Sequence, residues 1–567
     1  MKRLLLLVVS ISTSVIRALV VAVGLCRIHI FAKENFPAFA CFCKNMGASI
    51  VAAVAHVTRH SLLEYGVAVL AILGLVMVLR RPLKKKLPPG PVGLPIMGSL
   101  HLLGPRPHQR LAQMAEKYGP VMSLYMGQKL CVVATSADTA MEFLKAQDAV
   151  FCSRPPLRAA QVIFPTDITF SDITPASRQM RKMLHLQLTS GKRIEESEQI
   201  RSEEMAHMVR TIAASGRGGE EPELTVNVKA SLDAMTANIF TRLIISKRFF
   251  SPGGILRGMQ EAELREFIAI TDEIDLCLGL PNPRDLIPAF RWLDLASGLD
   301  KRFHSLRRRM ESFLSTIIAE HRQHHSFEKL DLLHVLLQQM EKDDDGQEIT
   351  EPQVTSIVWE AFAAGMETSA LATEWAMAEI LRNPHILKKA QSEVDAVVGK
   401  DRRVRESDIP MLKYIKAIVK EALRLHPIIP LLVPHQSNVA CKALGYDIPT
   451  KTQLLVNVWA IGRDPTVWTN PLTFDPERFL DDGAHADTDF SGKEFNLLPF
   501  GSGRRMCMGM SLGVLLVETS IASLLHCFSW TAAPDLDMTE GLGLSNSKAI
   551  PLCAIASARL PSSLYAH

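Results

Sequence analysis

The decapeptide Phe500-Gly501-Ser502-Gly503-Arg504-Arg505-Met506-Cys507-Met508-Gly509 constrains this chain more than any other stretch. One cysteine stands among three glycines and two arginines, and a helical pattern follows at once, from Met510 to about Ser529. A tight loop that delivers a cysteine to a helix N-terminus favours the anionic sulfur. Unpaired backbone N–H groups and the positive end of the helix dipole point at it. One thiolate with no second Cys or His nearby cannot build a zinc site, which wants four ligands at short spacings. It does suit an axial ligand to an iron whose remaining in-plane positions are filled by a macrocycle. A lone cysteine is more often an inert core residue. Phe500, Gly503, Arg505, Cys507 and Gly509, in the frame F-x-x-G-x-R-x-C-x-G, weigh for the ligand.

At these residues the chain resembles the cytochrome P-450 superfamily of haem-thiolate monooxygenases. The resemblance implies a mainly α fold with small β-sheets. Haem b would lie between a long central helix and the cysteine loop. It further implies Cys507 as the proximal iron ligand, Phe500 packed under the sulfur, Arg505 on a haem propionate, and Gly501 in the cofactor cradle. Met508 replaces the proline often found there.

The long central helix is legible on its own. Thr350 and Gln353 form a capping box with Pro352 in the first turn, and a helical pattern runs to Asn383, where Pro384 stops it. About 30 residues at 1.5 Å each span roughly 45 Å, enough to cross a domain. Midway lies Ala363-Ala364-Gly365-Met366-Glu367-Thr368-Ser369. A mid-helix glycine costs roughly 1 kcal/mol and calls for a packing or functional reason. An acid and an alcohol beside it are unusual in a buried helix. Taken alone, the segment reads as a bent helix whose threonine back-bonds to an earlier carbonyl. It matches the resembled family's (A/G)-G-x-(D/E)-T-(T/S), which implies that Gly365 helps to open a slot for O₂. Thr368 and Glu367 would then manage protons during oxygen activation.

A third constellation is Glu421 and Arg424, at i and i+3 on a helix expected from Pro410 to Leu425, with Arg478 in Phe474-Asp475-Pro476-Glu477-Arg478-Phe479. An E-x-x-R pair alone is an ordinary surface ion pair. Its order between the acid–alcohol helix and the cysteine loop matches the family, which implies a buried triad supporting that loop. His435 lies where the family places a propionate donor. Arg181 matches the arginine of the family's W-x-x-x-R helix, here expected over Ala176–Leu188, but Ser177 stands in place of the tryptophan.

Ahead of these motifs the chain is directed to a membrane. Residues 61–79 are 19 mostly apolar residues with one charge, Glu64, followed by Arg80, Arg81, Lys84, Lys85 and Lys86. That is about one bilayer crossing with a basic cytosolic stop. Residues 80–98 form a basic, proline-rich hinge, Leu87-Pro88-Pro89-Gly90-Pro91 at its centre, and residues 99–567 are the haem-thiolate domain. The basic stop puts the bulk of the protein on the cytosolic side, and the resemblance implies the endoplasmic reticulum membrane. For residues 1–60 three readings stay open: a second membrane span, a plastid transit peptide, and a mis-called start. The ten cysteines are scattered without framework spacing, which fits a reducing compartment.

A net charge of +4 is too mild to point to nucleic acid. Phe151-Cys152-Ser153-Arg154-Pro155-Pro156 breaks the chain, and the loop from there to Pro175 is expected to roof a pocket whose side chains, Ile163, Phe164, Phe362, Ala363, Leu432, Val433 and Ile550, are apolar. They imply a small hydrophobic or aromatic substrate. Glu374-Trp375-Ala376, Asn457-Val458-Trp459-Ala460 and the hinge resemble the plant A-type, microsomal branch, which works in secondary metabolism. The implied partners are O₂, membrane lipid and NADPH-cytochrome P-450 reductase, since no dinucleotide fingerprint is present. Arg178, Lys182, Lys192 and Arg193 form a basic dock for the reductase. The competing readings are a haem-thiolate isomerase or dehydratase that needs no O₂, and a non-catalytic haem-binding sensor. Retention of Glu367-Thr368 weighs against both.

Overall fold

The computed structural model describes residues 86–215, 225–251, 254–255, 259–279, 282–290, 297–323, 331–341 and 349–565. Contacts divide the chain into Met1–Lys84 and Lys85–His567, and the described residues all lie in the second unit. The segment expected to cross the membrane, 61–79, and everything before it lie outside the described residues, as do residues 216–222 and 342–348.

Helices dominate the unit. In chain order the main ones are α1 (Pro107–Tyr118), α2 (Pro175–Leu184), α3 (Glu198–Ser215), α4 (Val228–Ile245), α5 (Met259–Gly279), α6 (Leu299–Gln323), α7 (Glu351–Arg382), α8 (Pro384–Val398), α9 (Lys413–Leu425) and α10 (Met510–Cys527). The largest small sheet has four strands, ordered β1 (Val121–Met126), β2 (Lys129–Ala134), Gln453–Val456 and His435–Gln436. β1 and β2 pair antiparallel as a hairpin, Val121 opposite Ala134, and β2 runs parallel to Gln453–Val456. A second sheet joins Phe528–Ala532, Cys553–Ala558 and Thr225–Asn227. Residues 88–98 are not a bare linker: Pro89 O accepts from Ser123 N at 2.8 Å, and Gly98 bridges to Met126.

α7 is the axis of the unit. Gln353 Oε1 accepts from Thr350 N at 2.7 Å to close the cap, and the helix runs unbroken to Arg382. Its second half is buried all round, from Ser369 to Leu381, between α4, α9 and α10. Mostly apolar residues fill it, and its two acids are satisfied inside the core, Glu374 accepting from Leu552 N at 2.8 Å and Glu379 meeting His426 Nε2 at 2.8 Å. α10, also long and apolar, is likewise a core helix: Leu516 to Cys527 are all buried. Trp359, Phe362, Phe267 and Phe313 cluster at 5.2–5.9 Å where α5, α6 and α7 meet. Such edge-on and offset aromatic packing adds to plain burial.

Two expected helix boundaries move. Pro410 lies in a 3₁₀ turn, Glu406–Met411, and the α-helix begins only at Lys413, because proline has no N–H to give the helix and restricts the residue before it. α10 stops at Cys527, not Ser529, since Phe528 starts a strand paired with Ala558. α2 keeps its expected place but widens into a π-turn over His185–Thr189.

Candidate active site

The cysteine loop, α7 and the roof enclose a cavity of about 960 Å³. This is the upper end of the range for small-molecule sites. Phe500, Gly501, Cys507, Gly365, Glu367, Thr368, Arg505, Arg181 and His435 all line it. Loop and helix chemistry, separated by about 140 positions in the sequence, therefore meet on one space.

The loop is shaped by its glycines. Gly501 and Gly503 have φ of 68° and 69°, left-handed values that cost a residue with a Cβ. A Cβ on Gly503 would also fall 2.6 Å from Asp148 Oδ1 and 2.7 Å from Leu144 O. Cys507 N donates to Phe500 O at 2.9 Å, and Phe500 meets Phe490 edge-on at 5.5 Å. Burial pushes the Cys507 thiol up, while the N–H groups of Gly509 and Met510 at the start of α10 pull it down. Left to itself the thiol keeps its proton; a bound metal ion removes it outright.

On α7, Thr368 Oγ1 donates to Ala364 O at 2.7 Å, so the back-bond of the plain reading is made while the residue still faces the cavity. Gly365 has a packing reason. A Cβ there would fall 2.2–2.5 Å from three ring atoms of Phe240 on α4, so the ring packs where only a bare backbone leaves room. Glu367 is pushed up to about 7 by burial, then by Asp275, while Lys229 pulls it back. It is poised to hold or release a proton near neutrality.

Arginines converge on the opposite wall. Arg505 donates to Cys152 O (2.7 Å), Ile168 O (3.0 Å) and Ser171 O (2.6 Å), and Arg181 donates to Met506 O. Arg154, which sequence reasoning treated only as part of a chain break, is buried beside them and donates to Thr169 O (2.9 Å) and Val433 O (2.6 Å). Burial, then Arg505, pushes Arg154 down to about 9, with Arg181 adding to the repulsion. Burial and Arg154 likewise drive His435 down to about 3, so it is a neutral imidazole. Its Nδ1 donates to Phe151 O at 2.9 Å, which leaves Nε2 without a proton to give until an anion arrives. Three guanidiniums repelling one another around a cavity that also holds a cysteine sulfur fit a flat macrocycle with acidic side arms. Haem is such a group. Ser177 does not stand in for the family's tryptophan: its hydroxyl accepts from Thr174 N at 2.8 Å and closes the cap of α2.

Glu421, Arg424 and Arg478 come together. Arg424 donates twice to Glu421 and Arg478 Nε reaches Glu421 Oε1 at 3.1 Å, all three side chains being buried. Two expected pocket residues do not reach the cavity. Ile163 points into the main core while its neighbour Phe164 faces the cavity, and Ile550 is 59% exposed, its place taken by Leu544 and Ser545 of the same segment. Phe362, Ala363, Leu432 and Val433 do line it. Of the four basic residues expected to meet a reductase, Arg178, Lys182 and Lys192 are exposed, whereas Arg193 is half-buried and committed to Glu196 at 2.9 Å.

Residues 88–550 match the family model described as cytochrome P450. The chain belongs to the cytochrome P450 family. Among curated relatives, a flavonoid 3'-monooxygenase of Petunia hybrida is 40% identical over 488 residues, covering 84% of this chain and 93% of that one. A flavonoid 3',5'-hydroxylase of Eustoma exaltatum subsp. russellianum is 39% identical over 489 residues, covering 85% and 93%. A solved zebra fish cytochrome P450 with abiraterone is similar at a TM-score of 0.65 and 26% identity, over 80% of this chain and 100% of that one. This P450 is thus a monooxygenase of the plant A-type, with a haem cofactor, a redox partner, O₂ and an organic substrate implied by its membership.

Proposed function

We propose that this P450 inserts one oxygen atom of O₂ into an aromatic ring of a hydrophobic specialised metabolite of the flavonoid type. Electrons come from NADPH through a membrane-bound cytochrome P450 reductase. A segment at 61–79 anchors the enzyme in the endoplasmic reticulum, with the catalytic unit in the cytosol. The observation that carries the reading is the cavity that Cys507 and the pair Glu367-Thr368 share, walled by Phe164, Phe362, Leu432 and Val433.

Haem b, held through Cys507, supplies O₂ activation when bound. The protein's own groups do the rest. With haem bound, Arg505, Arg181, Arg154 and His435 would be the residues to neutralise its propionates, and a nearby anion would let His435 Nε2 take a proton and donate. Phe500 and the left-handed glycines fix the sulfur's approach. Glu367, near neutrality in its proton affinity, passes protons from the Asp275 side of the cavity towards the Thr368 hydroxyl, which hands them on. The triad of Glu421, Arg424 and Arg478 keeps the chain leading to the cysteine loop in register. The apolar walls exclude bulk water.

The test is a carbon-monoxide difference spectrum of the reduced protein, followed by NADPH-driven turnover of flavonoids with reductase added. The thiolate-type Soret band and hydroxylated product are expected from the wild type, and neither from Cys507→Ser. A protein that binds no haem, or an unchanged band in that variant, overturns the reading.

A further inference from the structure

Glu360 is a carboxylate in the cavity wall that the reaction leaves unused. It lies on α7 one turn before Ala364 and two before Glu367, so the three share one face of the helix, and all three line the cavity. Glu360 is half-buried and opens onto that space. Its Oε1 accepts from Thr169 N at 2.8 Å and from the Thr169 hydroxyl, and its Oε2 accepts from Ile168 N at 3.0 Å. A carboxylate oxygen has two lone pairs, so Oε2 keeps one to offer.

The roof loop fixes this carboxylate in place. Glu360 holds the loop's N–H groups, and Arg505 and Arg154 hold its carbonyls at Ile168, Thr169 and Ser171. Within the loop, Asp167 Oδ1 accepts from Phe170 N at 2.8 Å and from Ser171 N at 2.6 Å. A group fixed from both sides does not swing away to suit a ligand. Eight residues, about 12 Å of helix axis, separate Glu360 from Thr368. The wall between them is apolar: Phe164, Phe240, Phe362, Ala363 and Ala364.

We propose that Glu360 determines substrate specificity by accepting, at its free Oε2 lone pair, a hydrogen bond from the far hydroxyl of an elongated, uncharged polyphenol whose reacting ring lies at Thr368. This rests on the monooxygenase reading above. A free acid is excluded from the same place. Asp167 is the charged neighbour that, after burial, raises Glu360 to about 7, and a third carboxylate there meets the same repulsion. Arg154 and Arg505 are engaged with loop carbonyls and with the propionates assigned to them.

The test measures binding by the substrate-induced Soret shift of the full-length, haem-loaded protein. Three probes are compared: naringenin, with hydroxyls on both terminal rings; 4′-hydroxyflavanone, which lacks the distal pair; and p-coumarate, a free acid. A hydrogen bond to the Glu360 carboxyl oxygen implies that the wild type binds naringenin roughly tenfold more tightly than 4′-hydroxyflavanone. Glu360→Gln, which keeps an acceptor for the loop, is expected to erase most of that preference by weakening naringenin alone. p-Coumarate is expected to bind the wild type least and to gain in the variant. Equal affinities for the two flavanones in the wild type overturn the assignment, as does parallel weakening of both in Glu360→Gln, the signature of a loop clamp. Failure of naringenin to bind overturns it too. If Glu360→Gln does not hold haem, the wild-type comparison decides alone. A missing carbon-monoxide band sinks the monooxygenase reading; a normal band with equal affinities sinks only the role of Glu360.

Discussion

Arg424 grips Glu421 with two parallel hydrogen bonds, Nε to Oε2 at 2.6 Å and Nη2 to Oε1 at 2.7 Å, and neither side chain has any exposed surface. The pair also reaches outward. Arg424 donates to Pro471 O (2.7 Å) and Thr473 O (3.1 Å), while Asp475 N donates to Glu421 at 2.8 Å. α9 is thereby tied to the segment that leads towards the cysteine loop. Removing one partner strands a buried charge, which costs about 3–5 kcal/mol. Glu421→Ala is therefore expected to lower the unfolding free energy by that order and to reduce haem retention, read by denaturant melts and the Soret absorbance of purified protein. A loss below about 1 kcal/mol with full haem content would return the pair to the status of an ordinary ion pair.

Thr368→Ala separates packing from proton handling. The hydroxyl's bond to Ala364 O is a helix back-bond, whose loss costs little stability. What the variant lacks is a hydroxyl facing the cavity beside Glu367. Haem content and melting temperature are expected to stay near wild type, while the ratio of hydrogen peroxide released to product formed rises several-fold per NADPH consumed. Simultaneous NADPH, peroxide and product assays check it, and an unchanged ratio would remove Thr368 from the reaction.

Glu518 offers a pH test away from the site. It is a buried acid on α10, pushed up to about 7 by burial, with Lys416 and Lys420 only partly offsetting the shift. The folded chain therefore holds this proton more tightly than the unfolded chain, whose glutamate titrates near 4.5. Below the unfolded value both states are protonated and nothing is lost. Between that value and about 7 the unfolded carboxyl is ionised while the folded one keeps its proton, so stability falls, and the loss levels off above 7. Glu518→Gln is expected to remove this share of the fall, at most about 3 kcal/mol between pH 4.5 and 8. Urea melts of both proteins across that range give the answer; parallel curves would mean that Glu518 does not titrate there.

The parts of the site visible in the sequence are those carried by local spacing. The cysteine loop needs its glycines within ten residues, and Glu421 with Arg424 needs only one helical turn. Thr350 and Gln353 announced the start of α7 because a cap is a four-residue object. What stayed hidden depends on contacts between distant segments. Glu360 and Thr169 are 191 positions apart, and Arg154 meets Val433 across 279, so nothing in either neighbourhood marks them as partners. Direction was the other gap. Ile163 and Phe164 are adjacent and equally apolar, and only the packing of the short helix Arg158–Ile163 decides which one sees the cavity. Ser177, in the tryptophan's place, has a local use that the motif does not announce: its hydroxyl closes the cap of α2.

Gly365 tests whether the closeness of α4 and α7 sets the size of the cavity. Glycine in a helix interior is unfavourable by roughly 1 kcal/mol relative to alanine, so Gly365→Ala should stabilise an isolated helix. Here the new methyl would lie 2.2 Å from Phe240 Cε1 and 2.4 Å from Cζ, distances no pair of carbons tolerates. Phe240 borders both the core and the cavity. The ring is expected to swing towards the cavity, trading a steric clash for lost volume, with a net destabilisation of about 1–3 kcal/mol typical of overpacking. Bulky flavonoids should then bind more weakly while a single-ring phenol keeps its affinity, both read from Soret titrations. Gly365→Ala combined with Phe240→Leu should restore the larger ligand, because the added methyl then meets a side chain that can bend. If the single variant is as stable as wild type and binds both ligands equally well, the two helices are not in the contact described, and the reason for the glycine lies elsewhere.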